Sequence, residues 1–354
     1  MNTTLHTPLS DAYINGINHH DFYLWDAWSY QEAEELHLYC LAVSRYDEND
    51  RLLDPKDRNN VPFHVQHFVS TDTGESWTDA GCLQKPRPEI NDFDSKSIWS
   101  SSITLLDDGR KLIAFTGLKA ASEPQLFLQS MGVAISHDGY EIDPESVQLI
   151  SSPVDDWQMI IDKGYFIGSK NNLGHMDGEE GGPILAWRDP YILIHEDEIH
   201  MFWCAKSSSH TPALGHAILV ENSKGFQLSK LYQPTVMPDS DAFTQLELPK
   251  VIYDDVHNKF YLIIATCNRM YEGQADSEVD KQIRLYQSES LDGPWRYHFD
   301  KGSSLDLGAN NMFALTVLNA DYETGQLLCI APYTEAAEKP LTLSKSFIIN
   351  LNRK

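Results

Sequence analysis

Apolar residues along the chain fall in short alternating runs, broken by turn residues. Five stretches pair two such runs: Trp25–Ala42, Ser102–Gly117, Arg188–Ala205, Lys250–Ala265 and Ala314–Ala331. In each, Val, Ile, Leu and aromatic residues flank a short polar turn, such as Asp107-Asp108-Gly109, Glu196-Asp197, His257-Asn258 or Thr324-Gly325. This pattern predicts β-hairpins. Further hairpin signals lie between them at Ser70–Trp77, Ser136–Tyr140 and Ser290–Trp295. Amphipathic helical periods of any length are scarce. Hairpins recurring roughly 60 to 90 residues apart suit an all-β fold, a single five-bladed β-propeller spanning 1–354 with 1–20 as an N-terminal extension. A two-domain all-β sandwich is the alternative architecture.

Composition narrows the range of partners. The chain has 354 residues and a formal net charge of −25, from 52 acidic and 27 basic residues. A negative field of that size disfavours nucleic acid and anionic membrane surfaces, and is compatible with a neutral small molecule such as a sugar. A solubility or salt adaptation with no bearing on substrate is the alternative reading of the same charge. Cys40, Cys204, Cys267 and Cys329 sit in apolar strand-like runs and read as small core residues, not as a disulfide framework. The first residues have neither a basic n-region nor an apolar h-region, and no run of about 18 apolar residues occurs, so a cytoplasmic location is expected.

Three acidic residues stand out because they lie within apolar, aromatic or proline-marked strand sequence. They are Asp26 in Leu24-Trp25-Asp26-Ala27-Trp28, Asp189 in Trp187-Arg188-Asp189-Pro190 and Glu247 in Leu246-Glu247-Leu248-Pro249. A carboxylate in such surroundings is costly unless paired or used. Each lies early in a repeat, where the innermost strand of a blade faces the axis, so propeller geometry would gather all three in one axial active-site funnel. Converging carboxylates are the equipment of glycosidic bond cleavage. A propeller of the arabinan or galactan type, which uses three acids, and a non-catalytic sugar-binding propeller are the competing readings.

These segments resemble glycoside hydrolase family 68, the levansucrases, inulosucrases and related β-fructofuranosidases. Trp25-Asp26-Ala27-Trp28 matches three of the four residues of the family's Trp-Asp-Ser-Trp nucleophile motif, and Arg188-Asp189-Pro190 matches its Arg-Asp-Pro in full. Thr244–Pro249 stands where many members carry Asp-Glu-x-Glu-Arg-Pro, and Ile98–Ser102 resembles Glu-Trp-Ser-Gly-Ser. Thr266–Arg269, Ser290–Trp295 and Ser346–Asn350 resemble later family segments, so the likeness runs in order from about residue 20 to 350. The departures are Gln245 in place of a second glutamate and Leu248 in place of arginine.

The resemblance implies a retaining cleavage of sucrose or a related fructooligosaccharide. Asp26 would be the nucleophile, Glu247 the acid and base, and Asp189 the transition-state stabiliser. Trp25 and Trp99 would wall the fructosyl pocket, Ser100 would hold Asp26, Arg188 would orient sugar hydroxyls, Gln245 would line the sugar site and Arg269 would reach the second sugar. No cofactor or metal is expected. The acidic run Asp177–Glu180 lacks the spacing of a calcium-binding EF-hand loop, and neither a His-x-x-x-His pair nor a phosphate-binding Gly-rich loop is found. Ser70–Trp77 matches the Asp-box hairpin of sialidase propellers, but the arginine cluster that a carboxylate-bearing sugar needs is missing.

Overall fold

The computed structural model describes residues 12–120, 127–174, 184–271, 273–305, 307, 312–334 and 340–352. The acidic run 177–180 lies outside the described residues. Among the described residues there are twenty-two strands; twenty form five antiparallel sheets in chain order, and the other two form a separate ribbon.

The first blade comprises β1 (Tyr13–Ile14), β2 (Phe22–Glu32), β3 (Glu35–Ser44), β4 (His64–Ser70) and β5 (Ser76–Gln84), paired in the order β1-β5-β4-β3-β2. The second holds β6 (Ser97–Leu105), β7 (Lys111–Leu118), β8 (Gln129–Ser136) and β9 (Gln148–Ser151). The third holds β10 (Arg188–His195), β11 (Glu198–Lys206), β12 (Pro212–Asn222) and β13 (Gly225–Leu231). The fourth holds β14 (Gln245–Asp254), β15 (Lys259–Cys267), β16 (Lys281–Ser288) and β17 (Arg296–Tyr297). In the fifth, β18 (Thr316–Asp321) and β19 (Gln326–Ile330) are joined by β22 (Phe347–Asn350), while β20 (Pro332–Tyr333) and β21 (Thr342–Leu343) form a separate ribbon. One short helix, α1 (Trp157–Asp162), follows the second blade.

The five hairpins expected from the sequence are the inner hairpins of these blades, β2–β3, β6–β7, β10–β11, β14–β15 and β18–β19. Apolar clusters fill the spaces between neighbours. Trp28 and Tyr39 meet Ile113 and Phe115; Leu112 and Met131 meet Met201 and Trp203. Phe202 and Leu214 meet Leu262 and Tyr286, and Tyr261 and Leu285 meet Leu327 and Ile349. Finally Leu318 and Ile330 return to Leu38 and Phe68 of the first blade. That last contact closes a ring, which a two-domain sandwich would not do.

Hydrogen bonds lock the same seam. Ser29 Oγ donates to Val317 O at 2.9 Å, the Thr316 hydroxyl donates to Ala27 O, and Leu24 N donates to Leu341 O at 2.8 Å. The described part of the N-terminal extension is built into this seam: β1 pairs with β5, and Ile17 bridges Leu343. Among the described residues, no helix is long and apolar enough to cross a membrane.

Candidate active site

All five innermost strands share one irregularity near their entrances; in β18 the slip falls between Val317 and Asn319, at the core residue Leu318, and in the other four it shapes the site. The register slips between Trp25 and Ala27, Trp99 and Ser101, Arg188 and Tyr191, and Glu247 and Lys250. A bulge leaves a residue out of the ladder and re-aims its side chain. The released residues are Asp26, Ser100, the Asp189-Pro190 pair and the Leu248-Pro249 pair, the last directly after Glu247. Asp26, Asp189 and Leu248 also have positive φ, at 39°, 59° and 54°. Such backbone costs about 1 kcal/mol or more per residue, and it collects where a site requires it.

A cavity of about 750 Å³ opens at these bulges and draws its walls from all five blades. Every residue singled out in the sequence borders it: Trp25, Asp26, Trp99, Ser100, Arg188, Asp189, Gln245, Glu247 and Arg269. Asp26 accepts a 2.7 Å hydrogen bond from Ser100 Oγ. Asp189 is buried, and its Oδ2 accepts from Cys204 Sγ at 3.2 Å and from Leu248 N at 3.3 Å. Arg188 lies between two carboxylates, with Nε 3.6 Å from Asp189 Oδ2 and Nη2 3.3 Å from Glu247 Oε1. Glu247 is more open than Asp189, its side chain 26% exposed against 6%.

The blades are also coupled beneath the acids. Thr116 Oγ1 accepts from Asp189 N at 2.8 Å and donates to Ser100 O at 3.3 Å. One hydroxyl therefore ties the residue that binds Asp26 to the backbone that presents Asp189. Gln245 is almost fully buried and serves as a brace. Its Nε2 donates to Ile184 O at 3.2 Å and Arg269 O at 3.4 Å, and its Oε1 accepts from Arg188 Nη2 at 3.4 Å. Arg269 Nη1 donates to Gln274 O at 2.8 Å at the rim.

The electrostatics follow from burial and crowding. Burial, followed by the Asp189 charge, pushes Asp26 up to about 7, although the Ser100 hydrogen bond favours its ionised form. Burial also raises Asp189, against the opposing pull of Arg188. Burial works against the Arg188 charge too, but Asp189 and Glu247 outweigh it and hold the guanidinium protonated.

An aromatic wall runs beside the acids. The rings of Trp25 and Phe63 meet edge-on at 4.7 Å, Phe63 lies 6.4 Å from Trp99, and Trp99 lies 5.2 Å from Phe127. Trp25 also belongs to the core between the first two blades, so it is both core and wall. Phe63, Phe127, Thr116 and Cys204 were not legible as site residues, because each sits in ordinary strand or loop sequence without a motif of its own.

The chain superposes on solved structures across nearly its whole length. A Bacillus subtilis levansucrase matches with a TM-score of 0.64 at 17% identity, covering 94% of this chain and 84% of that one. An inulosucrase from Halalkalicoccus jeotgali bound to kestose matches with a TM-score of 0.65 at 16% identity, covering 96% and 82%. A Bacillus megaterium levansucrase variant matches with a TM-score of 0.64 at 18% identity, covering 95% and 85%. The fold is the levansucrase fold. No protein-family model matches the sequence, and no curated protein matches it. At this identity the levansucrase likeness concerns backbone architecture, and the chemistry rests on the residues themselves.

Proposed function

We propose that this chain is a retaining fructoside-cleaving enzyme, acting on sucrose or a related β-fructofuranoside with water or a sugar as acceptor. The observation that carries this reading is the paired arrangement at the bulges. Ser100 holds Asp26, while Arg188 spans Asp189 and Glu247, all beside one aromatic wall in a levansucrase fold. Structural neighbours include a levansucrase complexed with sucrose and the inulosucrase bound to kestose.

In the first step, an Asp26 carboxylate oxygen attacks the anomeric carbon of the fructosyl unit. The bond from that carbon to the leaving oxygen breaks, and Glu247 gives that oxygen its proton. The result is a fructosyl ester on Asp26. In the second step, Glu247 takes a proton from the acceptor hydroxyl as its oxygen attacks the same carbon, and Asp26 leaves. Asp189 accepts hydrogen bonds from fructosyl hydroxyls as positive charge develops on the ring. Trp25 and Trp99 pack on the sugar's C–H faces, and Arg269 reaches toward the second sugar. Retention calls for a separation of about 5 to 5.5 Å between the carboxyl groups of Asp26 and Glu247.

Incubation with sucrose tests the reading. Equal release of glucose and fructose indicates hydrolysis, and glucose in excess of fructose indicates transfer to a sugar. Release of neither from sucrose or kestose would overturn the assignment.

A further inference from the structure

Asp189 has lost its place in the strand ladder. The pairing of β10 with β11 matches Arg188 to Cys204 and resumes with Tyr191 against Phe202, so Asp189 and Pro190 together oppose the single residue Trp203. Pro190 has no N–H to place, but Asp189 does, and a buried N–H left without an acceptor is costly.

The acceptor comes from another blade. Thr116 on β7 is 1% exposed, and its Oγ1 takes the Asp189 N–H at 2.8 Å. Its own hydroxyl proton goes to Ser100 O at 3.3 Å, so the group both accepts and donates. Thr116 pairs with Trp99, at the point where β6 bulges to release Ser100. It therefore serves two bulges at once. The Asp189 carboxylate is held on one side only. Oδ2 accepts from Cys204 Sγ and Leu248 N, with Arg188 Nε 3.6 Å away. Oδ1 carries none of these bonds and Asp189 borders the cavity, so this is the oxygen left to a ligand.

We propose that Thr116 is a positioning residue. Its hydroxyl replaces the ladder acceptor that the bulge takes from Asp189, aims Oδ1 at the sugar, and keeps that aim in register with Asp26. The bonds run from Asp26 to Ser100, Thr116 and Asp189, across the first three blades. The benefit to turnover rests on the function proposed above, whereas the brace itself does not.

Amide hydrogen exchange tests the brace without relying on activity. Thr116→Val keeps the side chain's shape and removes its hydroxyl, and Thr116→Ser keeps the hydroxyl. The Asp189 amide should be protected in the wild type and exchange at least ~10-fold faster in Thr116→Val. The Ile192 amide, bonded to Ser102 Oγ at 3.1 Å on the same strand, should not change. If sucrose is cleaved, Thr116→Val should lose roughly 10- to 100-fold in kcat with KM little altered, and Thr116→Ser should recover most of it. The losses in Thr116→Val and Ser100→Ala should combine to less than their product, because both cut one chain of bonds. Equal losses in Thr116→Val and Thr116→Ser, or losses that multiply, overturn the proposal. So does an Asp189 amide that exchanges equally fast in wild type and folded Thr116→Val. If that variant does not fold, an unprotected Asp189 amide in the wild type overturns it alone. A protected, Thr116-dependent amide in a protein that cleaves neither sucrose nor kestose would defeat the fructoside reading and leave the brace standing.

Discussion

At the residue scale, Asp26 has two opposed demands. A nucleophile must be ionised, yet burial and its neighbours hold this carboxyl near 7, well above its ordinary 3.8. The catalytic rate should therefore fall as pH drops through about 7, and Ser100→Ala should move that limb to higher pH, because the lost hydrogen bond favoured the charged form. A pH profile of kcat/KM for both proteins checks this. The same shift has a cost in stability. Because the folded value lies above the unfolded one, stability is lost as pH rises from about 4 through about 7. Asp26→Asn should then be more stable than wild type at pH 8, on the order of 2 kcal/mol after allowing for the hydrogen bond from Ser100. The advantage should shrink toward pH 4, as thermal melts would show. Asp26 and Asp189 were legible because an acid beside tryptophan or before proline is rare in strand sequence. Thr116 was not, because a threonine in an apolar run reads as an ordinary strand residue until the ring buries it against Asp189 N.

At the element scale, inner hairpins were easy to read and outer strands were not. Strand β15 carries eight consecutive buried residues, whereas both residues of β17 are exposed and β13 alternates weakly. Pattern follows burial, and the outer strands have little. The bulges that aim the acids left no periodic trace either. Two blades repeat a further device at the start of their second strands. In Glu35-Leu36-His37 and Glu198-Ile199-His200, the histidine meets one from the next strand. His37 Nδ1 lies 3.0 Å from His67 Nε2, and His200 Nδ1 lies 3.0 Å from His216 Nε2. Burial holds His67 and His216 down to about 3. The unfolded chain therefore takes up protons below about 6.5 that the folded pairs refuse, and stability is lost as pH falls through that value. Replacing both His37 and His67 by leucine should flatten the decline in melting temperature between pH 7 and 5. The Asp-box hairpin is a purely structural feature. Asp72 accepts from Ser70 Oγ at 2.8 Å, Ser76 N at 2.9 Å and Ser76 Oγ at 2.6 Å, on the β4–β5 turn. Asp72→Ala should cost about 1 kcal/mol of stability and leave sucrose turnover unchanged, as denaturant melts and rate assays would show.

At the scale of the whole molecule, the ring explains how distant segments become one site. Asp26 and Glu247 lie on the first and fourth blades, and only closure of the fifth blade onto the first fixes their relation. Five-fold recurrence was visible in the sequence, but the polar seam at Ser29, Thr316 and Leu24 was not, since each is an ordinary strand residue. The charge of −25 also acts at this scale, through self-repulsion that opposes the compact state. Its central consequence concerns the cavity, where the buried Arg188 gathers Asp189 and Glu247, which the overall field would keep apart. The most direct test is the rate of glucose release from sucrose by wild type and Asp26→Asn at pH 8. Asp26→Asn should retain the fold and lose at least ~10³-fold in turnover. A folded Asp26→Asn protein that releases glucose at the wild-type rate would contradict the account.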